Sequence, residues 1–222
     1  MICIPIIAAD TNEACRKIAR ANPLADLLEI RLDLMGSVDL PKIIQTAGKP
    51  VMATYRSKRE GGDGAADPHT YIRHILAALQ AGVDLVDVEM WLPVKWRQKV
   101  FEARSVSRLV ISTHIQDHTP QQPELDQILR DGIATGADLV KIVTRAEQWS
   151  DNFRVLELIP RARSLDTPII AFCMGPMGKT SRILSYLMGG YLTFASLETG
   201  EESADGQIPV TEMRDVLDLL MP

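Results

Sequence analysis

Eight short β-branched runs alternate strictly with eight helix-like segments. This rhythm predicts an α/β fold, a (β/α)8 TIM barrel formed as a single catalytic domain by residues 1–222. Spread over 222 residues, the units average about 28 each, close to the ~30 of a strand–helix–strand step. No hairpin signal and no Pro/Ser-rich linker interrupts the series. An open doubly wound sheet uses the same units, but eight of them without an antiparallel signal favour closure.

The first run, Ile2–Ala8, meets Asp10 quickly and has no basic stretch before it, so it reads as a strand and not as a secretory leader. The helix Thr11–Asn22 follows behind a Thr/Asn capping signal. Leu27–Asp33 is the second strand, and Leu40–Ala47 is a helix with Pro41 in its first turn, where a missing N–H is harmless. Val51–Arg56 leads to the helix Pro68–Ala81, stopped by Gly82. Leu85–Met90 with Val94–Arg104, and Leu109–His114 with Glu124–Thr135, form the fourth and fifth units. Leu139–Thr144 with Ser150–Arg163, Ile169–Met174 with Lys179–Met188, and Leu192–Ser196 with Val210–Leu220 complete the series.

Composition narrows the function classes. At 46% hydrophobic and 24% charged residues the chain has enough apolar surface to offset its entropy on folding. No run of about 20 apolar residues exists, so neither a membrane helix nor a membrane partner is expected. A net charge of −5 and an aromatic content of 5% speak against nucleic acid as a partner. Cys3, Cys15 and Cys173 are scattered and form no CxxC pair, which suggests neither a disulfide framework nor a zinc knuckle; the cytoplasm is the expected compartment.

The strands carry charge where a buried parallel strand should be apolar. In Leu28–Asp33, Leu28, Ile30 and Leu32 share one face, and Glu29, Arg31 and Asp33 share the other. The same parity recurs in Thr54 and Arg56, in Asp87 and Glu89, and in Ser112 and His114; Lys141 stands alone among aliphatics. If the apolar face meets the helices, five successive strands aim ionisable groups into one cavity near their C-terminal ends, where barrels of this kind build active sites. A purely structural ion network at five strands would cost several kcal/mol per buried ion.

Lys141 cannot easily snorkel from mid-strand, and burial disfavours its charged form, so it reads either as a Schiff-base nucleophile or as a structural partner of Glu89 or Asp87. His114, one strand earlier, reads as a general acid/base or as a satisfied buried histidine. Glu60 lies on the loop after Arg56, before Gly61 and Gly62, from where a carboxylate can hold an imidazole in one tautomer. Other motifs fail. Gly178-Lys179-Thr180 would need a glycine at position 173 to be a P-loop, and that residue is Cys173. The start of that helix still offers backbone amides as an anion site, and Arg182 on its first turns can clamp a carboxylate. His114 with His118 lack helical zinc spacing, and His69 with His74 read as a solvated helix surface, so no metal is expected.

In order along residues 29–207 stand Glu29-Ile30-Arg31-Leu32-Asp33, Thr54-Tyr55-Arg56 with Glu60-Gly61-Gly62, and Asp87-Val88-Glu89. Then come Ser112-Thr113-His114 with Thr119-Pro120, Lys141-Ile142, Met174-Gly175 with Ser181-Arg182, and Gly200, Ser203-Ala204, Gly206-Gln207. Each motif alone is weak, but the ordered set resembles type I 3-dehydroquinate dehydratase, the Schiff-base form of the third shikimate-pathway enzyme.

The resemblance implies that Lys141 forms an imine with the ketone of 3-dehydroquinate. It implies that His114 removes the α proton and then assists loss of the hydroxyl, with Glu60 orienting His114. By the same resemblance Glu29, Arg31 and Arg56 hold the ring hydroxyls, while Arg182, Ser203 and Gln207 bind the carboxylate under a lid of residues 198–207. No cofactor is implied, and the expected assembly is a homodimer. The family segment Ser-Ala-Pro-Gly-Gln reads Ser203-Ala204-Asp205-Gly206-Gln207 here; Asp205 loses a rigid φ and adds charge near the carboxylate site. Glu198, Glu201 and Glu202 are expected to weaken steering of an anion. Two rivals share parts of the pattern. A class I aldolase would carry the lysine but need a phosphate site. A non-catalytic quinate-type sensor would have lost Lys141 or His114 or carry a DNA-binding module, whereas both residues are present and the sequence stops at Pro222.

Overall fold

The computed structural model describes residues 1–221; Pro222, the last residue of the expected domain, lies outside them. The strands are β1 (Ile2–Ile6), β2 (Leu27–Arg31), β3 (Val51–Thr54), β4 (Leu85–Glu89), β5 (Arg108–His114), β6 (Leu139–Arg145), β7 (Ile169–Met174) and β8 (Thr193–Phe194). Around them run α1 (Thr11–Ala21), α2 (Leu40–Thr46), α3 (Pro68–Ala81), α4 (Val94–Ala103) and α5 (Gln122–Ala134). The series ends with α6 (Asp151–Leu156), α7 (Leu158–Ser164), α8 (Lys179–Leu187) and α9 (Val210–Leu220). All paired strands are parallel, in the order β7-β6-β5-β4-β3-β2-β1-β8. The remaining seam is bridged by Tyr191 N–H donating to Ile169 O at 2.7 Å and by the Phe172 and Phe194 rings, 5.8 Å apart. The result is a nearly closed α/β barrel, as the alternation predicts.

The boundaries differ from the expected ones for local reasons. The expected sixth helix divides into α6 and α7, because Pro160 has no N–H to offer the carbonyl of Leu156. Strand β1 stops at Ile6: the Ile7 carbonyl accepts from Lys17 Nζ and the Ala9 amide donates to Glu13. Strand β3 ends at Thr54, since the Arg56 amide donates to Asp33 Oδ1 (3.1 Å) instead of to a neighbouring strand. The N-cap of α1 is Asp10, accepting from Glu13 N, and not a residue within Thr11–Asn22. His69 is exposed, but His74 is half-buried and stacks on Tyr55 at 4.3 Å, so the pair is no solvated surface.

Parity divides the packing as the alternation requires. One apolar layer between sheet and helices holds Ile4, Leu28, Ile30, Ala53, Val86, Val88, Ile111, Val140, Ile142 and Ala171. A second, inside the barrel, holds Cys3, Leu27, Met52, Leu85, Val110, Leu139, Ile170 and Phe172. This apolar plug fills the N-terminal half of the interior, and with Phe172 and Phe194 it reaches the floor of a C-terminal half otherwise lined mostly by polar residues.

Candidate active site

Strand register brings the inward polar residues together. Arg31 is paired with Thr54, Thr54 with Asp87, Glu89 with Ser112, and Ser112 with Lys141. Above them opens a cavity of about 160 Å³, lined by Glu29, Arg31, Arg56, Glu60, His114, Lys141, Arg182, Ser203 and Gln207. All nine residues expected at the site therefore share one cavity.

Arg56 is the hub of its buried charges. Its Nη2 donates to Asp87 Oδ2 (2.7 Å), and its Nη1 to Glu89 Oε1 (2.9 Å), Ser112 Oγ (3.1 Å) and Glu60 Oε2 (3.2 Å). Of its five N–H donors, only Nε and one Nη2 hydrogen remain for a ligand. Glu89 is further held by the Ser57 amide and hydroxyl and by Trp91 Nε1. Burial pushes the Asp87 carboxyl up, but Arg56 and Lys141 overcome it and hold the group below the ordinary aspartate range.

Lys141 is 4% exposed. Its Nζ donates to Asp87 Oδ2 at 2.9 Å, lies 3.9 Å from Glu29 Oε1, and sits 4.6 Å from the centre of the Phe194 ring. The amine is thus fixed by a carboxylate on one side and walled by an aromatic on the other, at the floor of the cavity.

His114 Nδ1 lies 2.7 Å from Glu60 Oε2, and its Nε2 has no protein partner among the described residues. Burial lowers the imidazole well below its ordinary value, and the cations Arg56 and Lys141 push the same way. Burial also raises the Glu60 carboxyl, with Glu89 and Asp87 adding to it against Arg56. Both directions favour a neutral ring. The loop carrying Glu60 returns tightly: Gly61 has φ +84°, and a Cβ on Gly62 would fall 2.2 Å from the Arg56 carbonyl oxygen. Gln116 Nε2 donates to the Glu60 carbonyl (2.9 Å) and packs over Gly61.

On the β2 side, Arg31 is clamped by Asp33 through two bonds of 3.0 and 2.8 Å, and Glu29 accepts from Thr54 Oγ1 at 2.7 Å. At the opposite end stands Arg182, 1% exposed, with its guanidinium 4.5 Å above Phe172 and its Nη2 on the Asp205 carbonyl. Among the described residues its Nε has no partner, and burial lowers the guanidinium to about 10, with Cys173 and Asp205 opposing it only in part. Ser203 and Gln207 close on each other through Ser203 N–H to Gln207 Oε1 (2.8 Å) and Gln207 Nε2 to Ser203 Oγ (3.0 Å).

Several expectations change. The backbone amides that open α8 are not on this cavity: Pro176 and Lys179 line a separate hollow behind residues 202–207, so of α8 only the Arg182 side chain faces the cavity. Asp205 does not simply add free charge, because Arg145 Nη2 bonds its carboxylate at 3.0 Å. Glu198 and Glu201 are likewise paired, with Arg20 and Lys17. Asp87, Glu89, Ser112 and Asp33 were legible as inward-facing residues, but their role as the frame of the site was not. Arg145 carried the same signal, since it continues the parity of Lys141 and Val143. Among the described residues no cluster of three His, Cys, Asp or Glu suits a metal ion.

Known proteins resemble this chain in sequence and fold. A family model described as Type I 3-dehydroquinase matches residues 2–221. A 3-dehydroquinate dehydratase of Methanococcus maripaludis is 32% identical over 99% of this chain and all of that protein. A bifunctional chloroplastic 3-dehydroquinate dehydratase/shikimate dehydrogenase of Arabidopsis thaliana is 33% identical; this chain spans 36% of its length. The crystal structure of a Geobacillus kaustophilus 3-dehydroquinate dehydratase superposes with a TM-score of 0.89 at 31% identity, covering 99% of this chain and 90% of that one. A family match over residues 2–221, the whole barrel, means that the chain belongs to the type I 3-dehydroquinase family.

Proposed function

We propose that this chain dehydrates 3-dehydroquinate to 3-dehydroshikimate in the shikimate pathway, as a hydro-lyase working through an imine on Lys141. The observation that carries this reading is a buried lysine amine at the cavity floor, one strand from a histidine whose Nδ1 is held by a carboxylate and whose Nε2 is open. The Lys141 ammonium passes one proton to His114 Nε2, and the freed amine adds to the ketone carbon. The ketone oxygen takes that proton and one from the nitrogen and leaves as water, giving a protonated imine, a far better electron sink than the ketone, and a neutral His114. His114 Nε2, neutral in its buried setting, takes the α proton, and the C–H pair becomes an enamine. The enamine pushes out the β-hydroxyl, which leaves as water with the proton His114 had taken. Hydrolysis of the imine then returns the amine. Glu60 positions His114 and accepts or returns the Nδ1 proton as the ring changes role.

Arg182 with Ser203 and Gln207 receives the substrate carboxylate, which supplies the counter-ion Arg182 lacks. Glu29 and Arg31, with the free donors of Arg56, hold the ring hydroxyls. Residues 1–222 act as one catalytic domain. A homodimer is supported by the exposed apolar side chains of Trp149, Phe153 and Met177, the first and last brought together by Asn152 Nδ2, which donates to both their carbonyls; sedimentation tests it. Three free cysteines suit the cytoplasm.

Borohydride reduction with 3-dehydroquinate, followed by peptide mass spectrometry, should trap one ligand adduct on Lys141. An adduct on Lys58 or Lys179, or none under turnover conditions, refutes the mechanism.

A further inference from the structure

The lid segment, residues 198–207, is held from two sides by its own carboxylates. At one end Glu198 pairs with Arg20 and Glu201 with Lys17 (Nζ–Oε1 3.0 Å), both on α1. At the other, Asp205 reaches Arg145, the last residue of β6. Asp205 gathers three donors: its carboxylate takes Arg145 Nη2 at 3.0 Å, and its carbonyl takes Arg182 Nη2 and Gly175 N, each at 3.2 Å. Gly206 then crosses Gly175 with φ +79°, so closely that a Cβ would stand 2.3 Å from the Gly175 carbonyl oxygen. The next residue is Gln207, already locked to Ser203.

Arg145 lines the same cavity as Lys141 and Arg182. An unpaired aspartate at position 205 would put a negative charge where a substrate carboxylate approaches. The Arg145 guanidinium offsets that charge and turns the residue so that its carbonyl, not its carboxylate, meets Arg182. Among the described residues this carbonyl is the one hydrogen-bond partner of the Arg182 side chain.

We propose that Asp205 and Arg145 are positioning residues for the carboxylate end of the site: an ion-paired latch that holds residues 203–207 over Arg182. The proposal rests on the dehydratase reading and adds to it two residues that act through Arg182, Ser203 and Gln207 without touching the reacting atoms.

Asp205→Asn removes the charge at nearly constant shape. It should raise KM about two- to fivefold, the range of a partly exposed ion pair, and leave kcat nearly unchanged. Arg145→Gln, which leaves the Asp205 charge unpaired beside the carboxylate site, should raise KM at least as much, and the double variant should be no worse than Arg145→Gln. Rising ionic strength should raise the wild-type KM more steeply than that of Asp205→Asn, because only the wild type has a pair to screen. A KM unchanged or lowered in Asp205→Asn overturns the proposal. So does additive loss in the double variant, which would put Arg145 on the substrate itself. Borohydride trapping on the same proteins keeps the two readings apart. Adducts throughout with an unchanged KM defeat the latch alone, whereas no adduct in the wild type defeats the dehydratase reading beneath it.

Discussion

Replacing Arg56 by methionine tests whether the buried charges are a frame or merely a set of substrate contacts. The guanidinium is 5% exposed and bonds Asp87, Glu89, Glu60 and Ser112 at 2.7–3.2 Å. Methionine fills much of the volume but leaves three carboxylates facing one another without their common cation. Removing one partner of a buried pair costs ~3–5 kcal/mol. At ~2–4 °C per kcal/mol for a chain of this size, Arg56→Met should lower the melting temperature by about 6–20 °C.

The loss should also depend on pH. With Arg56 gone, Glu60 loses the cation that most opposes its burial and Asp87 the larger of its two cationic partners, so both folded-state pKa values rise, that of Glu60 further above its unfolded value of ~4. The deficit is then full above the raised folded values, and it shrinks as pH falls through them, because the folded protein takes up protons that the unfolded chain does not yet bind. Glu60, already raised with Arg56 in place, protonates early. Reversible urea unfolding followed by circular dichroism at pH 8 and pH 5.5 measures both effects. A loss under ~1 kcal/mol, the size of a surface pair, or one equal at both pH values, would refute the hub.

The acid limb of kcat/KM, which reports the free enzyme, should fall below pH 6.5, because burial and then Arg56 and Lys141 disfavour the His114 imidazolium; a limb at or above 6.5 contradicts a neutral ring as the base. Arg182→Met should raise KM by about 30-fold or more, from the ~2–5 kcal/mol of a truncated buried charge contact, as steady-state kinetics will measure. The same variant should melt at a higher temperature than the wild type, since it removes a buried guanidinium with no carboxylate partner and an unbonded Nε; unchanged KM would mean that Arg31 or Arg56 holds the carboxylate.

Much of this protein was legible in one dimension. Alternation with period two assigned Glu29, Arg31, Asp87, Ser112, His114 and Lys141 to one face of their strands, because successive side chains on a strand must point oppositely. Given helices on the outside, that face had to be the interior. The aliphatic neighbours of Lys141 left two readings open, an imine-forming amine or a structural partner of Glu89 or Asp87, and it was the ordered motifs that pointed to the family and the imine. Local backbone competition was harder to see: Asp33 takes the Arg56 amide and ends β3, and Pro160 divides a helix whose hydrophobic pattern runs straight through it.

Tertiary structure alone decided the partners. Lys141 and Asp87 are 54 residues apart, as are His114 and Glu60, and Arg145 and Asp205 are 60 apart. Parity says which way a side chain points, but not how far along the barrel axis it ends or which charge stands opposite. Those depend on strand register and on where each loop folds back over the mouth. Hence Arg56, expected on the substrate, is mostly spent on its neighbours. Asp205, which looked like a stray charge in the lid, is paired, because the sheet curls until the end of β6 faces a lid residue that the sequence sets far downstream.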